Sequence, residues 1–107
     1  MNDKNYKKKI KTAEEISKII GSRPRSKNVI MCHGNFDIVH PGHVRHLMFA
    51  SSRADILIAS LTCDAHITKG ENRPYVPEEL RAINLSVLDM VDYVIIDYNS
   101  EPIKNIN

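Results

Sequence analysis

The chain is poor in cysteine, holding two in 107 residues. Two thiols cannot make the dense disulfide framework on which small secreted domains rely. Cys32 and Cys63 fall inside strand-like apolar segments, where they read as reduced, buried small hydrophobes. There is also no apolar run near the roughly 20 residues a membrane helix needs. The N-terminus has lysines but no apolar stretch behind them, so no secretory signal is visible. A large excess of either charge is missing as well, with 15 Lys and Arg against 13 Asp and Glu. A net +2 is too little to make nucleic acid the main partner. Much of the excess is Lys4, Lys7, Lys8, Lys9 and Lys11, a run expected to be a solvated terminus. No internal repeat and no low-complexity tract occur. What remains is the composition of an ordinary globular chain, 42% apolar and 26% charged, long enough for one domain with a modest core. A cytoplasmic location is expected.

The elements follow from hydrophobic period and punctuation. "TAEE" at Thr12–Glu15 is a capping box. Ile16, Ile19 and Ile20 line one face behind it, and Gly21 suits the helix end. "SRPRSK" is a polar linker. "NVIMC" has the length and Val/Ile content of a buried strand. "GNFD" is a turn, with Gly34 and Asn35 tolerant of positive φ and Asp37 able to bond its own backbone. From Pro41, which suits a first helical turn, Val44, Leu47, Met48 and Ala50 recur at helical spacing. "ADILIASLT" is a second strand. The polar loop "HITKGENRPYV" leads to Pro77 and a second such helix with Leu80, Ile83, Val87 and Leu88 on its apolar face. "VDYVIID" is a third strand, and "NSEPIKNIN" reads as the opening turn of a further helix. Strand, helix, strand, helix, strand, with a capped helix in front, predicts an α/β fold with a parallel sheet and helices on its faces. Residues 1–27 form a basic tail, helix and linker. Residues 28–107 form the α/β domain.

In such sheets ligands bind beyond the carboxyl ends of the strands, at the amino ends of the following helices. Gly34 to His43 occupies that place. Gly34 would let backbone approach a ligand, the amides near Asn35 and Phe36 would face it, and Gly42 keeps the helix start bare. The helix beginning at Pro41 adds N–H groups and a positive dipole end, so the expected ligand is an anion. His40 and His43 are three apart and share one side of a first turn, from which both can donate to one phosphate. A metal site is the weaker reading, because no carboxylate or thiolate stands at a recognised spacing beside these histidines. His33, His46 and His66 read as surface or satisfied core residues.

"GNFDIVHPGHVRHLMFA" resembles the signature of the nucleotidyltransferase superfamily, a His-x-Gly-His motif after a Gly-x-Phe-Asp turn. "KGENRPYVPEELR" is similar to the second region of its cytidylyltransferase-like branch, particularly the ADP-heptose synthase type, through Lys69-Gly70, Arg73-Pro74, and Pro77 with Arg81. The resemblance spans about residues 28–103 and omits the first 27. It implies a Rossmann-like fold with strand order 3-2-1-4-5 and transfer of a nucleotidyl group from a nucleoside triphosphate, ATP or CTP, to a small phosphorylated substrate. His40, His43, Lys69 and Arg81 would be the catalytic residues. Gly34, Asn35, Phe36, Pro41, Gly42 and Arg73 would join the two histidines in binding nucleotide. Mg2+ would arrive with the triphosphate, and no protein metal ligand is implied.

Bland readings stand beside these roles. Lys69 and Arg73 could be loop charges, Arg81 could pair with Glu78 on the helix face, and Asp37 reads as a turn-former rather than a metal ligand. Asp64 could touch substrate or cap a helix. Heptose 1-phosphate is the leading acceptor, glycerol 3-phosphate with CTP the second, and a non-catalytic nucleotide- or partner-binding module the third reading. Relatives continue into two further strands and a Ser/Thr-rich motif, which do not appear before Asn107. The chain is therefore expected to be part of a longer frame or to complete its sheet as a homodimer. The isolated 107 residues are expected to bind nucleotide weakly and to release pyrophosphate far more slowly than the roughly 1–1,000 turnovers per second of ordinary enzymes. A coupled pyrophosphate assay on the pure chain checks this.

Overall fold

The computed structural model describes residues 6–23, 25–37, 39, 41–67 and 76–98. Within them the elements run α1 (Ala13–Ile20), β1 (Val29–Gly34), α2 (Pro41–Arg53), β2 (Ile56–Thr62), a single 3-10 turn (Asp64–His66), α3 (Glu78–Ser86) and β3 (Tyr93–Asp97). The three strands form one parallel sheet in the order β1-β2-β3. This is the α/β, Rossmann-like arrangement expected from the alternation of elements.

Each strand divides its side chains between two faces, as period 2 requires. Leu57, Ala59 and Leu61 of β2 join Cys32, Val94 and, from the helices, Leu47, Ala50, Ala82 and Leu85. That is the face covered by α2 and α3. Ile58 and Ile95 face the other way and meet Ile16 and Ile20 of α1. The N-terminal helix is thus part of the packing of the sheet. The outer edge of β3 is met by the segment before α1, where Lys11 N–H donates to Val94 O and Val94 N–H to Lys9 O, both at 2.9 Å. The outer edge of β1 has no strand beside it among the described residues. Both cysteines are free and buried, and burial pushes the Cys32 thiol up.

The capping box forms: Glu15 N–H donates to Thr12 Oγ1 at 3.1 Å and Thr12 N–H to Glu15 Oε1 at 3.0 Å. Gly21 follows at φ +74°, with its N–H on Ser17 O.

Three details of the sequence reading are corrected. Positive φ in the "GNFD" turn belongs to Phe36, at +51°, and not to Gly34 or Asn35. Met48 on α2 is exposed, with Leu47 and Ala50 alone fully inward. On α3 the inward set is Arg81, Ala82, Leu85 and Ser86, whereas Leu80 and Val87 are exposed. The helix is rotated about one residue from its apolar stripe, because the inner face must admit Arg81.

Thr12→Ala should lower stability by about 1 kcal/mol, the usual loss for a side-chain cap, read as a reduced urea midpoint at unchanged slope. The Thr12 N–H holds the Glu15 carboxyl below its usual value. Its contribution is therefore present above the unfolded pKa and lost as pH falls through the lower folded one.

Candidate functional site

The site is built where β1 ends. Gly34 is its last residue and α2 begins at Pro41, seven positions later. Here the backbone must reverse quickly, and Phe36 takes the left-handed conformation to do so, at a cost of about 1–2 kcal/mol for a residue with a Cβ. Burial of its ring opposes that cost. Phe36 is 7% exposed, and its ring lies against the His43 ring with centroids 5.5 Å apart and planes tilted by 58°. Gly34 is needed for this packing. A Cβ there would sit 3.3 Å from the Phe36 ring, tighter than an ordinary contact.

Arg81 fastens the corner. It lies in the first turn of α3, and side chains on a helix lean toward its N-terminus. That direction carries the guanidinium back to the carboxyl ends of the strands. It is fully buried, with relative exposure 0%. Nε donates to Val76 O at 2.9 Å, Nη1 to Asn35 O at 2.7 Å and Thr62 O at 2.6 Å, and Nη2 to Asp64 Oδ1 at 2.6 Å. One rigid fork therefore holds the turn after β1, the end of β2, the 3-10 turn and the entry to α3. A buried cation is costly unless paired and fully hydrogen-bonded, and three carbonyls with one carboxylate supply that. The phosphate clamp anticipated for Arg81 is accordingly corrected. Four of its five N–H donors go to the loops that frame the corner, and its ion pair is with Asp64 rather than Glu78.

The carboxylates around it have structural partners. Asp37 Oδ1 accepts from Val76 N–H at 2.8 Å, tying the turn to the same segment that Arg81 grips. The sequence reading had Asp37 bonding its own backbone in the turn, whereas this bond spans 39 residues. Asp64, left open from sequence, pairs with Arg81, and its N–H donates to Glu78 Oε1 at 2.9 Å. The other Glu78 oxygen accepts from the Tyr98 hydroxyl at 2.9 Å. Partial burial and that carboxylate push the Tyr98 phenol up. His66 Nε2 lies 3.1 Å from Tyr98 O.

Of the residues singled out from sequence, Gly34, Asn35, Phe36, Pro41, Gly42, His43 and Arg81 gather at this end of the sheet. His40, Lys69 and Arg73 lie outside the described residues. Sequence reading gave His33 only a surface or satisfied-core role. Its ring crosses from β1 to β2, with Nδ1 2.9 Å from Ser60 Oγ and 4.0 Å from Asp97 Oδ2, and Nε2 3.4 Å from Thr62 Oγ1. Only strand register brings these four together, since His33 pairs with Ser60 and Thr62 with Asp97. Among the described residues no group of three His, Cys, Asp or Glu side chains could hold a metal ion. No helix among them is long and apolar enough to cross a membrane.

Residues 31–107 match the family described as Cytidylyltransferase-like. The chain is 39% identical over 99 residues to the bifunctional protein HldE of Geobacter metallireducens, covering 90% of the chain and 20% of that protein. It is 42% identical over 101 residues to HldE of Campylobacter curvus, covering 92% and 21%. The chain thus spans about a fifth of the length of these curated relatives. Alignments this broad take in much of the first 27 residues, which the resemblance read from motifs had left aside. A solved structure, the lipopolysaccharide core biosynthesis protein from Thermoplasma volcanium, superposes with a TM-score of 0.63 at 27% identity, over 68% of the chain and 60% of that one.

Arg81→Met should unpair three buried carbonyls and Asp64, lowering stability by about 3 kcal/mol or more. Arg81→Lys keeps the charge but cannot span four acceptors in one plane. It should recover only part of that stability. Urea unfolding, with amide NMR shifts at Asn35 and Phe36 as the local reporter, checks both.

Proposed function

The chain belongs to the cytidylyltransferase-like family, and on that premise we propose that it transfers a nucleotidyl group from ATP to a sugar 1-phosphate such as heptose 1-phosphate, releasing pyrophosphate. The observation that carries this reading is the corner after β1. It sets a locked turn directly before the start of α2, the place where backbone N–H groups and a helix dipole favour phosphate.

A phosphate oxygen of the acceptor attacks the α-phosphorus, the bond to the β-phosphate oxygen breaks, and pyrophosphate departs with that electron pair. The step needs no covalent enzyme intermediate, so the protein has to position the reactants and stabilise charge on the transferring group. The Asn35 and Phe36 amides are assigned to the α-phosphate as preorganised donors. His43, braced by the Phe36 ring, and His40, three residues earlier in sequence, are assigned to the phosphate chain. Lys69 is assigned to it as a point charge and Arg73 as a further cation for the nucleotide. Arg81 acts at one remove, as a positioning residue for the turn. Mg2+ neutralises triphosphate oxygens when bound. The donor set fits an ion carried largely by substrate, because Asp37 and Asp64 each have a carboxylate oxygen already engaged.

The relatives support the acceptor class, one of them being named for lipopolysaccharide core biosynthesis. A second reading, CTP with glycerol 3-phosphate, keeps the same corner and is favoured by the family description alone.

ATP and CTP assayed against heptose 1-phosphate and glycerol 3-phosphate on the full-length frame should give highest kcat/KM for ATP with the heptose ester. His40→Ala and His43→Ala should each lower kcat/KM by about 100-fold or more, the scale of losing an oriented charge-stabilising donor. Unchanged transfer in both variants rules out the phosphate role.

A further inference from the structure

The sheet face opposite α2 and α3 changes character along its length. At the start of the strands it is apolar, with Val29, Met31, Ile56, Ile58, Tyr93 and Ile95 against α1. At the carboxyl ends the same face presents His33, Ser60, Thr62 and Asp97. A polar end to an otherwise apolar face needs a reason, because α1 stops short of it and Asp97 is 1% and Ser60 0% exposed. Holding a carboxylate and a hydroxyl at that depth is costly unless each is hydrogen-bonded or paired.

What they organise is the His33 ring. Ser60 Oγ and the Asp97 carboxylate both lie on its Nδ1 side, which favours the tautomer with hydrogen on Nδ1. Nε2 is then an acceptor facing the exposed side. Its neighbour Thr62 Oγ1 is 3.4 Å away, at the long limit of a hydrogen bond, and so is readily exchanged for a better partner. Thr62 itself is fixed from behind, because its carbonyl accepts from Arg81 Nη1. The result is an acceptor nitrogen and a threonine hydroxyl, side by side, one residue before Gly34.

We propose that His33 and Thr62 form the acceptor subsite of the transfer reaction, recognising hydroxyl groups of a polyhydroxylated phosphate ester. This rests on the function proposed above. A sugar hydroxyl can donate to Nε2 and accept from Thr62, which a phosphate dianion cannot do. Phosphates go to the corner and the start of α2, and the sugar ring extends over β1 and β2. Ser60 and Asp97 are positioning residues for the imidazole. Ser60 and Asp97 both lie on Nδ1, so the group is not a nucleophile triad, which needs the serine on the other nitrogen.

NMR titration of the full chain, following His33 ring protons and the Gly34–Phe36 amides, tests the subsite with three probes: Mg-ATP, heptose 1-phosphate and methyl phosphate, an ester without hydroxyls. Mg-ATP should move the corner amides. Heptose 1-phosphate should move the His33 ring and bind roughly tenfold tighter than methyl phosphate, the scale of one or two hydrogen bonds. His33→Ala and Thr62→Val should each erase most of that difference while leaving methyl phosphate and Mg-ATP unaffected. His33→Gln, which keeps an acceptor, should restore part of it. Corner amides that respond to Mg-ATP while both esters bind equally in wild type and variants overturn the hydroxyl subsite and leave the proposed function standing. Corner amides indifferent to Mg-ATP overturn the function, and the subsite with it.

Discussion

A single buried guanidinium organises the ligand end of this sheet. Arg81 has no exposure and bonds to three carbonyls and a carboxylate drawn from four separate segments. A parallel sheet leaves the ends of its strands as loops whose backbone carbonyls have no ladder partner. Something must satisfy them where they are buried. Water could do so only loosely. A planar fork with five donors does so rigidly, and joins the loops to one another. The Asn35 carbonyl and the end of β2 are held by the same group, so the corner proposed for nucleotide and the side proposed for the acceptor share one mechanical base.

The same residue explains the local conflicts in the fold. A cation near a helix N-terminus opposes the dipole, and Glu78 and Glu79 in that turn together with Asp64 offset it. The rotation of α3 away from its apolar stripe has the same origin. Leu80 and Val87 are left in water so that Arg81, Ala82 and Leu85 can point inward. Phe36 shows a related exchange at the corner. A strained backbone angle is held by a buried ring, and that ring needs a glycine at 34 and braces His43.

The two faces of the sheet divide the work. One is apolar throughout and carries α2 and α3, whose N-termini deliver positive dipole ends to the phosphate side. The other is apolar only as far as α1 reaches and then becomes polar at His33, Ser60, Thr62 and Asp97. Both faces meet at Gly34. The proposed transfer of a nucleotidyl group to a second small molecule would call for two adjoining surfaces of different chemistry, and these two faces differ in that way.

The alternation of elements, the capping box at Thr12, the helix start at Pro41 and the family signature from Gly34 to His43 were legible in the chain itself, because they depend on local spacing. Arg81 was legible as important, through its place four residues after Pro77, but its role was not. Whether an arginine faces solvent, a ligand or three carbonyls depends on which strand ends surround it. His33 shows the converse. In the one-dimensional chain it stands 27 residues from Ser60 and 64 from Asp97, and no periodicity joins them. Parallel register alone brings them within hydrogen-bond range, since two strands far apart in sequence become neighbours about 4.8 Å apart only once the crossover helices have packed.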